Sequence, residues 1–185
     1  MIEESAARNG ALPPLVLEQA HDAALVDALI ERAFGPGRYA KAAERLREHN
    51  RPLPYISYVA FCGGALVGCV RMWPIRIGAA PAVLLGPFAV EPDWRSRGLG
   101  AALIQRACEA AKTAGHGLIL LVGDAPLFEP HGFQTAPKGR IVMPGPVDPG
   151  RVMFLSFTGD ADLAGVVRAD PGGGMKADLG AAPAP

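Results

Sequence analysis

The chain has too few cysteines, in the wrong pattern, for a disulfide scaffold or a cysteine metal cage. Cys62, Cys69 and Cys108 are the only three in 185 residues, and no C-x-x-C occurs. Three cannot all pair within one chain, so they read as reduced, small, partly buried side chains. His21, His49 and His116 show no metal-ligand spacing, and no metal is expected. Net charge is lacking too: 18 basic residues balance 18 acidic ones. That gives no electrostatic drive toward nucleic acid or an anionic membrane, and neither is an expected partner. Long hydrophobic runs are missing. The longest uncharged apolar stretch, 77–90, is short of the ~18 residues of a spanning helix, and Gly78, Pro81, Gly86 and Pro87 interrupt it. The N-terminus, Met1-Ile2-Glu3-Glu4-Ser5, is acidic and has no apolar core of a signal peptide, so a cytoplasmic location is expected. Serine is scarce, and there is neither a Gly-x-Ser-x-Gly elbow nor a Walker A loop.

Glycine and proline are abundant instead, 23 and 18 residues, in a chain that is half hydrophobic and 19% charged. These proportions suit a globular protein, and the length suits one domain at roughly 150 residues per domain. Such a domain buries about 70% of its unfolded surface and needs no metal or disulfide to hold it. We expect a loose leader over 1–13, one domain over 14–168 and a disordered tail over 169–185, where Ala, Gly and Pro dominate.

Within the domain, Leu15-Val16-Leu17 is a strand candidate. Leu25, Val26, Leu29, Ile30 and Ala33 form a helical stripe over 22–33, stopped by Gly35-Pro36. A second, alanine-rich helix is expected over 39–48, its Lys41, Arg45 and Arg47 on a solvated face. A hairpin follows: 55–61, the turn Gly63-Gly64, and 65–73, with Pro74 marking a bulge or edge beyond. Pairing Cys62 with Ala65 puts Cys69 opposite Tyr58, too far from Cys62 for a disulfide. A further strand spans 82–90, a helix 99–114 and a fully apolar, doubly buried strand 118–122. One helical turn at 127–131 and a closing pair of strands, 140–143 and 151–157, complete the series.

Chemistry concentrates in Leu85-Gly86-Pro87-Phe88-Ala89-Val90-Glu91-Pro92-Asp93-Trp94-Arg95-Ser96-Arg97-Gly98-Leu99-Gly100. A strand, a basic glycine-bearing loop and an amphipathic helix make an anion cradle. Backbone N–H groups of 97–100 point into one concavity at the positive end of the helix dipole. Gly-x-Gly alone is common, and Leu103 breaks the dinucleotide fingerprint G-x-G-x-x-G.

Arg95-x-x-Gly98-x-Gly100 after Phe88-Ala89-Val90 resembles the R/Q-x-x-G-x-G/A motif of the GNAT superfamily of N-acetyltransferases, and Gly132-Phe133 resembles that family's terminal Gly-Phe. The order of elements is similar as well. The resemblance implies an α/β (α+β) fold with a mixed, mostly antiparallel central sheet, splayed at the motif strand and flanked by helices. It implies acetyl-CoA, or another acyl-CoA, as acyl donor, an amine of a small molecule or protein as acceptor, and a monomer or homodimer. The pyrophosphate would sit on Arg95, Ser96, Arg97, Gly98, Leu99 and Gly100, and the pantetheine arm along Phe88, Ala89 and Val90. Glu91 and Asp124 end the two splayed strands and are the candidate catalytic carboxylates. Glu91 is also explained as a surface residue at a strand end, and Asp124 as a helix cap. Phe128 stands where many relatives carry a proton-donating tyrosine; His131 is close in sequence. The acceptor would meet the 34–39 region, the 71–73 strand and the final hairpin. The other open readings are an acyl-CoA-binding sensor with little transferase activity and a nucleotide-binding regulator.

Overall fold

Two long strands joined at Gly78-Ala79 form the backbone of the molecule. They are β3 (Ala65–Ile77) and β4 (Ala80–Val90), paired antiparallel from Gly68↔Val90 to Ile77↔Ala80. The computed structural model describes residues 11–159 and 163–173. The other strands are β1 (Leu15–Leu17), β2 (Tyr58–Cys62), β5 (Leu118–Val122), β6 (Gln134–Thr135), β7 (Ile141–Val142), β8 (Val152–Ser156) and β9 (Gly165–Ala169). The main order is β1-β2-β3-β4-β5-β8-β6, with β9 also pairing β3 and β7. Only β4–β5 and β7–β9 are parallel, so the sheet is mixed and mostly antiparallel, as expected.

Both faces are covered, and the period of two in the strands decides what goes where. Helix α1 (Ala23–Phe34) lays Val26, Leu29 and Ile30 on Val59, Cys69 and Ala89. On the opposite face, α3 (Leu99–Thr113) lays Leu103, Ile104 and Ala107 on Val70, Met72, Val83 and Ile119. Each fully buried aliphatic side chain contributes ~1.5–3 kcal/mol, so the helix stripes seen in the sequence are what holds the layers together. Between α1 and β2 lies α2 (Ala42–Arg45); α4 (Ala125–Phe128) follows β5.

Several expectations need correction. Pro74 does not end β3; it pairs with Val83 inside it. Its missing N–H does no harm, because on the other side β3 changes partner there. It pairs with β2 up to Val70 and with β9 from Ile75. A bulge at Ala60/Phe61 keeps Cys62↔Ala65 but sets Cys69 opposite Val59 rather than Tyr58. The expected helix 39–48 shrinks to α2, since Pro36 and two glycines start that segment as a 3-10 turn, Pro36–Ala40. The supposed closing pair does not pair: β7 joins β9, while β8 lies between β5 and β6. The tail does not begin at Ala169. That residue pairs with Ile75 in β9, and Asp170 N–H donates to Pro74 O (3.1 Å). Ladder bonds need no apolar side chain, so composition could not show this. The leader reaches less far than residue 13, because Pro13 is buried; residues 1–10 and 174–185 lie outside the described residues.

Candidate active site

The site starts from a bulge. In β4, Gly86 and Pro87 face a single residue of β3, Arg71, between the pairs Met72↔Leu85 and Val70↔Phe88. A bulge bends its strand and raises the twist. Accordingly β4 and β5 pair only at Val83↔Ile119 and Leu84↔Leu120, and then part. The parted strands wall a cleft of about 800 Å³ that runs from the N-terminus of α3 to α2 and the loop before β8.

The edge of β4 facing the cleft can be assigned. Glu91 N–H donates to Val67 O of β3 (2.9 Å). Amides alternate along a strand, so Ala89 also turns to β3, while the N–H and C=O of Phe88 and Val90 turn to the opened edge. Of the expected Phe88, Ala89 and Val90, the first and last therefore offer the backbone, and Ala89 does not. Arg95 Nε donates to Val90 O (3.2 Å), which folds the loop back on the strand end.

At the end of the cleft, Gly98 caps α3 with φ +89°, a conformation that costs other residues ~1–2 kcal/mol. The first intrahelical bond runs from Ala102 N–H to Gly98 O (3.0 Å), so the amides of Leu99, Gly100 and Ala101 precede the ladder. The Arg95 amide is not part of this set, as it donates to Pro92 O (3.1 Å). Arg95, Ser96, Gly98 and Gly100 line the cleft; Arg97 and Leu99 do not. Arg97 lies over the Trp94 ring at 5.3 Å, and Leu99 is buried in the core, leaving only its backbone near a ligand. Gly100 has a second duty: a Cβ there would fall 3.1 Å from Phe88 Cζ, so glycine lets α3 approach β4.

The two candidate carboxylates separate. Glu91 is held by Arg32 of α1 (2.6 Å) and is not among the residues lining the cleft. Asp124 lines it, exposed, with Arg151 Nε 3.0 Å away, and makes no cap hydrogen bond to α4. Phe128 lines the cleft and packs edge-on against Phe88 and Phe133, with centroids 6.4 and 5.8 Å apart. His131 stays outside.

Toward the other end, the sequence revealed only part of the lining. Arg71, expected near an acceptor, is buried and bound to Glu18 (2.9 and 3.0 Å) and Asp27 (2.7 Å). Tyr39 and Trp73 do not line the cleft either. Phe34 and Arg38 of the expected 34–39 region do line it, joined by Lys41, Glu44, Arg47 and the loop Pro146-Val147-Asp148, which the sequence did not single out as site residues. Arg45 Nη1 donates to Pro144 O (2.8 Å), tying α2 to that loop. Among the described residues, no group of side chains could hold a metal ion, and no helix is long and apolar enough to cross a membrane.

Residues 54–135 match the family model of the acetyltransferase (GNAT) domain. Over that segment, less than half of its length, the chain is similar to a GNAT domain. Its sequence is 28% identical over 118 residues to the uncharacterized N-acetyltransferase YhbS of Escherichia coli K12, covering 62% of this chain and 70% of that protein. The crystal structure of Escherichia coli YhbS in complex with CoA has the same fold: TM-score 0.71, 24% identity, 86% of this chain and 91% of that one. A GNAT family acetyltransferase from Brucella melitensis, solved with acetyl-CoA, aligns with a TM-score of 0.65 and 25% identity, over 85% of this chain and 95% of that one. The opened edge of β4 and the capped start of α3 both lie within the matched segment.

Proposed function

We propose that this chain is a GNAT acetyltransferase that transfers an acetyl group from acetyl-CoA to an amine. The observation that supports this best is the opened edge of β4, with the backbone of Phe88 and Val90 turned to a cleft that ends on the amides of α3. CoA has the complementary shape, a peptide-like pantetheine arm followed by a pyrophosphate. The arm would add to β4 as a strand adds to an edge, and the pyrophosphate would take the amides of 98–101 with Arg95 beside it. Two solved relatives are complexes with CoA or acetyl-CoA.

Each protein group then has a task. An N–H of Phe88 or Val90 polarises the thioester carbonyl and stabilises the negative charge that forms when the amine attacks. Asp124, at the mouth and open to water, accepts the proton of an acceptor ammonium, whose pKa of ~10.4 for a lysine-like amine otherwise leaves little free base. The tetrahedral intermediate collapses with cleavage of the C–S bond. Phe128 has no proton to give, so water protonates the thiolate, a fair leaving group at pKa ~8.5. Three unpaired cysteines support a reducing, cytoplasmic setting. Burial pushes Cys69 and Cys108 up to about 12, far from the reactive thiolate state.

Release of free CoA thiol from acetyl-CoA, measured with and without a panel of amines and with mass analysis of the acceptor, tests this. Acceptor-dependent release with a gain of one acetyl group is expected. Stabilisation by acetyl-CoA without release from any amine would favour the sensor reading instead.

A further inference from the structure

Guanidinium pairing differs between the two most buried arginines around β4. Arg71 gives its side-on edge, Nε with Nη2, to Glu18, and its remaining Nη1 to Asp27. Arg47 gives Nη1 to Glu44 (2.8 Å), while its Nε is buried without a hydrogen-bond partner. Its Nη2 makes no hydrogen bond to a described residue either. That nitrogen lies over the bulge, so close that a Cβ on Gly86 would be 3.3 Å from it. Arg47 lines the cleft. The edge that takes a carboxylate at Arg71 is therefore unpaired at Arg47, a residue of the cleft wall. Arg38, which also lines the cleft, has a buried Nε 3.4 Å from Glu31 Oε2 but out of hydrogen-bond geometry, so it adds positive potential beside the same wall.

Resting on the acetyl-transfer reading above, we infer that the side-on edge of Arg47 binds a carboxylate of the acceptor, so that the acceptor is a small amino acid rather than a simple amine. An arginine fork holds a carboxylate bidentately, fixing direction as well as distance. Burial lowers the Arg47 guanidinium from its ordinary value, with Glu44 opposing the shift. A second carboxylate would complete the pairing that Arg71 already has. The site is separate from the donor's anion cradle: Gly86 is at the bulge of β4, whereas the cradle is the start of α3 beyond the end of that strand. Phe88 is two residues beyond Gly86 on the same strand, so a small amino acid whose carboxylate rests on Arg47 can bring its amine to the thioester placed there.

Calorimetric titration of the full chain saturated with CoA tests this without needing turnover. The probes are the N-acetyl forms of glycine, alanine, phenylalanine and γ-aminobutyrate, each beside its carboxamide. At least one acid is expected to bind tenfold or more tighter than its carboxamide. Arg47→Gln should level the two while leaving CoA affinity in place. If that variant does not fold, Arg47→Lys keeps the charge but not the fork, and is expected to lose most of the preference. Equal binding of acids and carboxamides, a preference untouched at Arg47, or no binding of any acid to the CoA complex would overturn the inference. Failure of the wild-type chain to bind CoA at all would instead overturn the acetyl-transfer reading.

Discussion

Arg71 and Glu91 show how differently two ion pairs weigh at the level of single residues. Arg71 is buried with Glu18 and fixes the segment after β1 and helix α1 onto β3. Removing one partner of a buried pair leaves the other charge uncompensated, at a cost of about 3–5 kcal/mol. Arg71→Ala should therefore lower Tm by roughly 6–20 °C, at ~2–4 °C per kcal/mol for a domain of this size. Glu91 and Arg32 form a partly exposed pair of about 0–1 kcal/mol. Glu91→Gln should leave Tm nearly unchanged, and turnover within about threefold, since its carboxylate is outside the cleft. A hundredfold fall in turnover, with folding intact, would return Glu91 to the chemistry. His116 adds a pH dependence. It bonds to Tyr55 Oη (3.1 Å), and burial lowers its pKa below the ordinary value of 6.5. The folded state then binds fewer protons than the unfolded one, so stability is full above pH 6.5 and declines as pH falls from there toward the lowered folded value. His116→Gln should flatten the slope of unfolding free energy between pH 6.5 and 5 relative to wild type; an unchanged slope would assign it to other groups.

Elements carry the next set of consequences. The start of α3 depends on Gly98 for its turn and on Gly100 for its approach to β4. Gly98→Ala has open space but the wrong φ, and should cost ~1–2 kcal/mol. Gly100→Val should act differently, pressing Phe88 and the edge of β4, so that the rise in Tm caused by acetyl-CoA shrinks along with Tm itself. A full acetyl-CoA shift in folded Gly100→Val would show that this edge does not hold the donor. The N-terminus of α3 was legible because strand, loop and helix are consecutive in sequence and each has its own period. Strand β9 was not, because Gly165-Val-Val-Arg-Ala gains its place by pairing with Ile75–Ile77, some 90 residues away, and with β7. Val167 is fully buried there. A chain ending at Gly173 should melt within about a degree of the full one, as the Ala/Gly/Pro composition beyond offers little to bury. One ending at Ala164 uncovers Ile75 and Ile77 and should lose several kcal/mol, well over 5 °C by the same size scaling. Equal melting of all three would remove β9 from the stable fold.

Across the whole molecule, the cleft has two halves that differ in how far the sequence reveals them. The donor half is one continuous segment, 85–100, joined by Asp124 and Phe128, and its residue types announce an anion site and an open strand edge. The opposite half is assembled from residues near 34–47 and 146–151 that meet only because Arg71 seats α1 and Arg45 ties α2 to the later loop. Arg47 looked like part of a solvated basic face, since nothing in its neighbourhood shows that α2 would turn it onto the bulge of β4. The two halves meet at Phe88, where the account puts the thioester. A crystal structure of the acetyl-CoA complex tests that placement most directly. The account predicts pantetheine amides bonded to the backbone of Phe88 and Val90, with none to Ala89, and the pyrophosphate on the amides of 98–101. A donor seated elsewhere, or an arm that leaves the Phe88–Val90 edge unpaired, would contradict it.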